Sequence, residues 1–152
     1  MSRAFTKETD EDPFRLPDRP VSASPNLVTP RGAELISAEL ARSEAELLAG
    51  IGDRDALRRD QRYWSLRQAS MQVVPPVAAP ASVTFGVCVR IRRAGKEIEV
   101  RIVGEDEANP REKRVAWTSP LAVALDGAEV SETVQLKAGG LVEHIQLLAI
   151  RA

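Results

Sequence analysis

IVGEDEANPREKRVAWTSPLAVAL, residues 102–125, is the stretch on which the reading of this chain turns. It opens on the apolar end of a strand, Ile102-Val103. An acidic turn follows, broken at Asn109-Pro110, and then a second short strand through Val115 and Trp117. Thr118-Ser119-Pro120-Leu121 then starts a short apolar helix with Ala124 and Leu125 on one side. Ser119 is placed to cap that helix, and Pro120 suits its first position, where a missing N–H is harmless.

Around this stretch the sequence alternates with the period of strands. Val83, Phe85, Val87, Val89 and Ile91 predict one strand from 83 to 91. Ala94-Gly95 predicts a hairpin turn, and Ile98, Val100 and Ile102 a second strand. Val134 and Leu136 begin a further strand. Gly139-Gly140 turns the chain into a last one through Val142, Ile145, Leu147 and Ile150. Strands with one short helix on one face predict a small antiparallel β domain over 83–152.

Upstream the pattern is helical. Thr29 can cap a helix with Pro30 at its first position, and Ala33, Ile36, Leu40 and Leu47 recur on one face, interrupted by Ser43. Gly50 and Gly52 end it. A second helix begins at Asp53 or Asp55, buries Leu57, Trp64 and Met71, and stops before Pro75-Pro76. A turn this short makes the helices antiparallel. Residues 27–74 are therefore expected to form a helical hairpin, residues 75–82 a stiff Pro/Ala linker, and residues 1–26 a disordered or extended tail anchored by Phe5, Phe14 and Leu16. The overall expectation is an α+β chain. The first helix carries four Glu against two Arg and the second five Arg against three Asp, which predicts ion pairs across the hairpin.

Composition narrows the function classes. Apolar residues make up 43% and aromatics 4%, so the core is built from Val, Leu, Ile and Ala. A net charge of -1 supplies no global field toward nucleic acid or an anionic membrane. Cys88 and His144 are the only residues of their kinds, which leaves no disulfide and no zinc ligand set. No apolar run reaches the ~20 residues of a membrane span. The acidic N-terminus lacks the apolar core of a signal peptide, so a cytoplasmic protein without membrane contact is expected.

These residues carry a resemblance. Val83-Thr84-Phe85-Gly86, Arg101 through Ala108 (RIVGEDEA), Ser119-Pro120-Leu121-Ala122 and the Gly139-Gly140 turn resemble the C-terminal domain of the Gre family of bacterial transcription elongation factors. Leu27 through Gly32 (LVTPRG) and the stretch from Arg62 to Val74 resemble the ends of that family's coiled coil. The resemblance implies an FKBP-like C-terminal domain that docks on RNA polymerase at its secondary channel. It implies a docking surface of Thr118, Ser119, Pro120 and Leu121, with nucleic acid met only through the polymerase complex. An N-cap at Ser119 explains the same residues without a partner.

The resemblance also implies an acidic hairpin tip, Asp-x-Ser-Glu-Asn, whose paired carboxylates help hold a polymerase Mg²⁺. Here the tip reads Gly52-Asp53-Arg54-Asp55-Ala56-Leu57: Asp53 stands at the first acid, Ala56 replaces the second, and Leu57 replaces the Asn. Asp53 and Asp55 are thus helix caps or weak candidates for a polymerase-held Mg²⁺, in a hairpin about 30 Å long with shorter arms than the family pattern. The expectation is a polymerase-binding regulator with no catalytic residue, metal or cofactor of its own and without strong stimulation of transcript cleavage. The alternatives are a cleavage-stimulating factor using Asp53 and Asp55, or the short-hairpin branch of regulators of nucleoside diphosphate kinase. Prolyl isomerisation, suggested by the FKBP-like fold, lacks an aromatic-lined pocket, since Phe85 and Trp117 are the only aromatics after residue 82.

Overall fold

The computed structural model describes residues 15–152. The tail anchors Phe5 and Phe14 lie outside the described residues. A short strand β1 (Leu27–Val28) leads into helix α1 (Pro30–Ala49), which turns back through α2 (Arg54–Ser70) to β2 (Gln72–Val73). The Thr29 hydroxyl accepts from Gly32 N at 3.0 Å, as an N-cap should. Gly50 ends α1 in the left-handed conformation, with Ile51 N donating to Glu46 O at 3.0 Å.

The periodicity of 29–72 did not reveal β1 and β2. They pair in parallel, Leu27 with Gln72 and Val28 with Val73, and tie the two ends of the hairpin together. Two-residue strands carry too little alternation to be read from sequence.

Val28, Ile36, Leu40 and Trp64 form the hairpin core. Ser43 is buried within the stripe and satisfies its hydroxyl by donating to Glu39 O at 2.9 Å. The expected ion pairs between the helices are absent among the described residues. Arg42 instead joins Glu39 and Glu46 on its own helix, at 2.9 and 3.1 Å. The α2 arginines reach away from α1: Arg62 to Asp18 of the tail at 2.7 Å, and Arg67 to Asp106 of the β domain at 2.5 Å. Arg62 lies on the outer face of α2, whereas Arg67 is buried where the hairpin meets the β domain.

The second half is a five-stranded sheet in the order β5-β4-β3-β7-β6, built from β3 (Cys88–Arg93), β4 (Lys96–Val103), β5 (Arg114–Ala116), β6 (Thr133–Ala138) and β7 (Leu141–Arg151). All neighbours are antiparallel except β4 and β5, which run parallel. Helix α3 (Pro120–Leu125) lies on one face and buries Leu121, Ala122 and Leu125 against Val89, Ile91, Val100, Ile102, Ile145 and Leu147. The architecture is α+β, as expected.

The strand foreseen over 83–91 begins only at Cys88. Val83 and Val87 are both buried, but a turn lies between them, and Gly86 takes a positive φ of 86°. Val83 bonds to the loop after α3, donating to Ala128 O at 2.8 Å and accepting from Gly127 N at 2.9 Å. Burial of alternate residues therefore imitated a strand across a turn.

Candidate functional site

Two places in this fold were singled out by sequence, and a third emerges from packing. The first is the loop entering α3. Ser119 accepts from Ala122 N at 3.3 Å, so its hydroxyl caps the helix. Thr118 donates to Glu105 Oε1 at 3.0 Å. Leu121 is only 9% exposed and belongs to the core, which corrects its place in the expected contact surface: a side chain buried under the sheet cannot face a partner. What this loop offers to solvent is Pro120 and, one helical turn on, Val123 at 62% exposure. Val123 was missed by sequence reasoning. Its signal was the i, i+3 spacing from Pro120, which puts both on the face opposite Leu121, Ala122 and Leu125.

The second place is the hairpin tip. Asp53 is the N-cap of α2, its carboxylate accepting from Asp55 N at 3.0 Å and Ala56 N at 3.2 Å. Asp55 sits in the first turn, exposed, where a negative charge suits the helix dipole. Leu57 is buried under the tip, but two other apolar residues there are not covered among the described residues: Leu48 is 92% exposed and Ile51 is exposed beside it. Among the described residues no three His, Cys, Asp or Glu side chains are grouped to hold a metal ion.

The third place is the junction of hairpin and β domain, where the 3-10 turn Glu105–Glu107 meets both. Arg67, whose side chain is 2% exposed, donates from Nε to Asp106 Oδ2 at 2.5 Å and from Nη2 to Asn26 Oδ1 at 2.7 Å. Asn26 returns a bond from Nδ2 to Arg67 O at 2.8 Å, filling a carbonyl left open in the last turn of α2. The Tyr63 hydroxyl donates to the other oxygen of Asp106. Burial, reinforced by that hydrogen bond and by the Asp106 charge, pushes the Tyr63 phenol up to about 12. Thr29 donates to Glu107 Oε2 at 2.5 Å, while Glu107 Oε1 accepts from Arg114 at 2.9 Å. Three carboxylates in a row are thus each tied to a different part of the hairpin base, its flanks or the sheet edge.

The packing there leaves no room for side chains on the glycines. A Cβ at Gly104 would collide with the Leu27 carbonyl, and one at Gly32 would come within 2.9 Å of Glu107 Oε2. The tail reaches this junction through Ser22, which donates to Glu105 Oε1 at 3.0 Å, and lies along α2 before it. Arg19 stacks over the Tyr63 ring, 3.8 Å from its centroid, and pairs with Asp60 at 3.1 Å. Sequence reading saw an acidic loop and a basic helix separately. Their opposite charges were the available signal for this junction.

Comparison with known proteins matches residues 78–152 to the family described as "Transcription elongation factor, GreA/GreB, C-term". The chain is 28% identical to transcription elongation factor GreA of Alkalilimnicola ehrlichii over 151 aligned residues, covering 82% of this chain and 96% of the relative. It is 29% identical to transcription elongation factor GreB of Neisseria meningitidis, covering 82% of this chain and 93% of that protein. A solved structure, the prokaryotic transcription elongation factor GreA/GreB from Nitrosomonas europaea, aligns with 83% of this chain and 98% of its own at 20% identity and TM-score 0.42. Residues 78–152 therefore belong to the C-terminal domain family of the GreA/GreB transcription elongation factors, and the GreA and GreB relatives align with the chain across nearly their own whole length.

Proposed function

We propose that this protein binds RNA polymerase as a regulator of elongation, docking at the secondary channel through the outer edge of α3 and presenting a short hairpin that does not drive transcript cleavage. The tip carries this reading. Metal-assisted cleavage requires carboxylates converging on one ion at about 2.1 Å. At this tip Asp53 is engaged with two backbone N–H groups of its own helix, the Ala56 side chain supplies no oxygen, and Asp55 is exposed in the first turn of α2. Helices of 20 and 17 residues give arms of about 30 and 25 Å. The α3 edge supports docking on a different ground. Pro120 and Val123 form a small apolar contact on a helix held rigid by its cap and core, so little conformational entropy is lost on binding. In this reading all bond-breaking belongs to the polymerase.

The test uses stalled elongation complexes with backtracked RNA. Wild type is expected to co-sediment with the polymerase, the Ser119→Glu/Pro120→Asp variant to stay in the supernatant, and RNA cleavage to remain at the level of polymerase alone. Failure of wild type to co-sediment would sink the docking. Robust cleavage that disappears in Asp53→Ala/Asp55→Ala would replace this reading with that of a cleavage-stimulating factor.

A further inference from the structure

Glu105 lies where three separately anchored pieces of the molecule meet. Its Oε1 accepts from Thr118 Oγ1, on the loop entering α3, and from Ser22 Oγ, on the tail, both at 3.0 Å. Its Oε2 is buried, has no hydrogen-bond partner among the described residues, and faces Arg67 Nη2 of α2 at 3.7 Å. Arg67 holds the base of the hairpin through Asp106 and Asn26. A line of polar contacts therefore runs from the α3 loop, through one carboxylate, to the buried guanidinium of the hairpin. Among the hydrogen bonds of the described residues, the Thr118 hydroxyl has this single side-chain partner.

The energetics favour a directional joint over an incidental contact. Arg67 and Asp106 are nearly sealed from water, where charge pairs are costly unless their geometry is satisfied. An anion held 3.7 Å from the guanidinium, and fixed by two hydroxyls, biases which way that buried pair sits. The neighbouring carboxylates do not duplicate the link: Asp106 is occupied by Tyr63 and Arg67, and Glu107 by Thr29 and Arg114.

We propose that Glu105 is a positioning residue that sets the direction of the hairpin relative to the α3 docking edge, with Thr118 and Ser22 orienting its carboxylate. The inference rests on the docking reading for its meaning, because aim matters only if α3 is the fixed point on the polymerase. The geometry itself is testable in the free protein.

The experiment places spin labels at Arg54→Cys, near the tip, and Lys137→Cys, on β6, in the full-length chain with Cys88→Ser. Electron–electron distance distributions are then compared between variants. The background chain should give one narrow distance. Glu105→Ala should lose it in favour of a broad distribution. Thr118→Val, which leaves the carboxylate in place, should also broaden it, and the double variant should be no broader than Glu105→Ala alone, because the two act through one contact. Glu105→Gln, which keeps an acceptor for both hydroxyls but removes the charge facing Arg67, should give a width between those of the background chain and Glu105→Ala. Thermal melts separate a loosened joint from an unfolded domain.

Unchanged width in Glu105→Ala or in Thr118→Val overturns the proposal, as does additive broadening. Polymerase co-sedimentation, run on the same chains, reads the docking reading separately. Loss of binding by the background chain would sink that reading while the distances still decide the joint.

Discussion

The two ends of the hairpin are built on opposite principles. At the base, charged groups are buried and almost wholly satisfied: Arg67, Asp106, Glu107, Tyr63 and Thr29 interlock within a few ångströms. At the tip, apolar groups are exposed, and the ordering comes from a glycine cap and one aspartate. The base thus fixes direction, because a buried ion pair tolerates few geometries. The tip is a surface, available to whatever the hairpin meets. The difference locates precision at the junction with the β domain and leaves the tip facing solvent.

That contrast can be broken most strongly at Arg67. Arg67→Ala leaves Asp106 and Glu105 without their cation in a dry site and should cost about 3–5 kcal/mol. Chemical denaturation would measure the loss, and a change of similar size at the exposed Arg54 would refute the contrast.

A smaller effect is expected at Tyr63, the chain's only tyrosine. Its phenol is raised from 10.0 to about 12. The neutral, donating form is the one the fold favours. Its stabilising contribution is therefore complete below pH about 10 and is lost as pH rises from there through about 12. Tyrosinate absorbance should show a single titration displaced upward from that of the unfolded chain. Tyr63→Phe should remove the pH dependence in that window and cost about 1.5–3 kcal/mol at neutral pH, as expected for a hydrogen bond to a charged group. An ordinary phenol titration would mean that the bond to Asp106 does not persist in solution.

The smallest effect belongs to the tip. Asp53→Ala removes a helix cap and should cost about 0.5–2 kcal/mol, read as a modest drop in melting temperature with the β domain unaffected. A loss as large as that at Arg67 would show that the tip is as tightly determined as the base.

Much of this arrangement was legible in local sequence. Thr29-Pro30, Asp53 and Ser119-Pro120 announce helix starts because a cap needs only a side-chain oxygen and the next few N–H groups. The α3 face and the turns at Ala94-Gly95 and Gly139-Gly140 are likewise local matters. The 83–87 segment misled because alternation reports burial and carries no hydrogen-bonding partner with it. Leu121 misled because belonging to a recognisable motif does not say which way a side chain points. Val123 went unread although its spacing from Pro120 is local, while the Leu27–Val28 strand and the Glu105–Glu107 junction went unread because each takes its meaning from a residue far along the chain.

The sequence by itself determined the helices, their caps, the class of fold and the absence of a second acid from the tip's expected place, all of which depend on neighbours within a few positions. Only the tertiary structure decided that Arg67 is a buried anchor and Arg42 a surface pair, although both are arginines on amphipathic helices. It decided too that three consecutive acids clamp the hairpin base. Charge sign is written in the sequence, but the dielectric and geometry that make a charge structural arise only when distant segments exclude water from it.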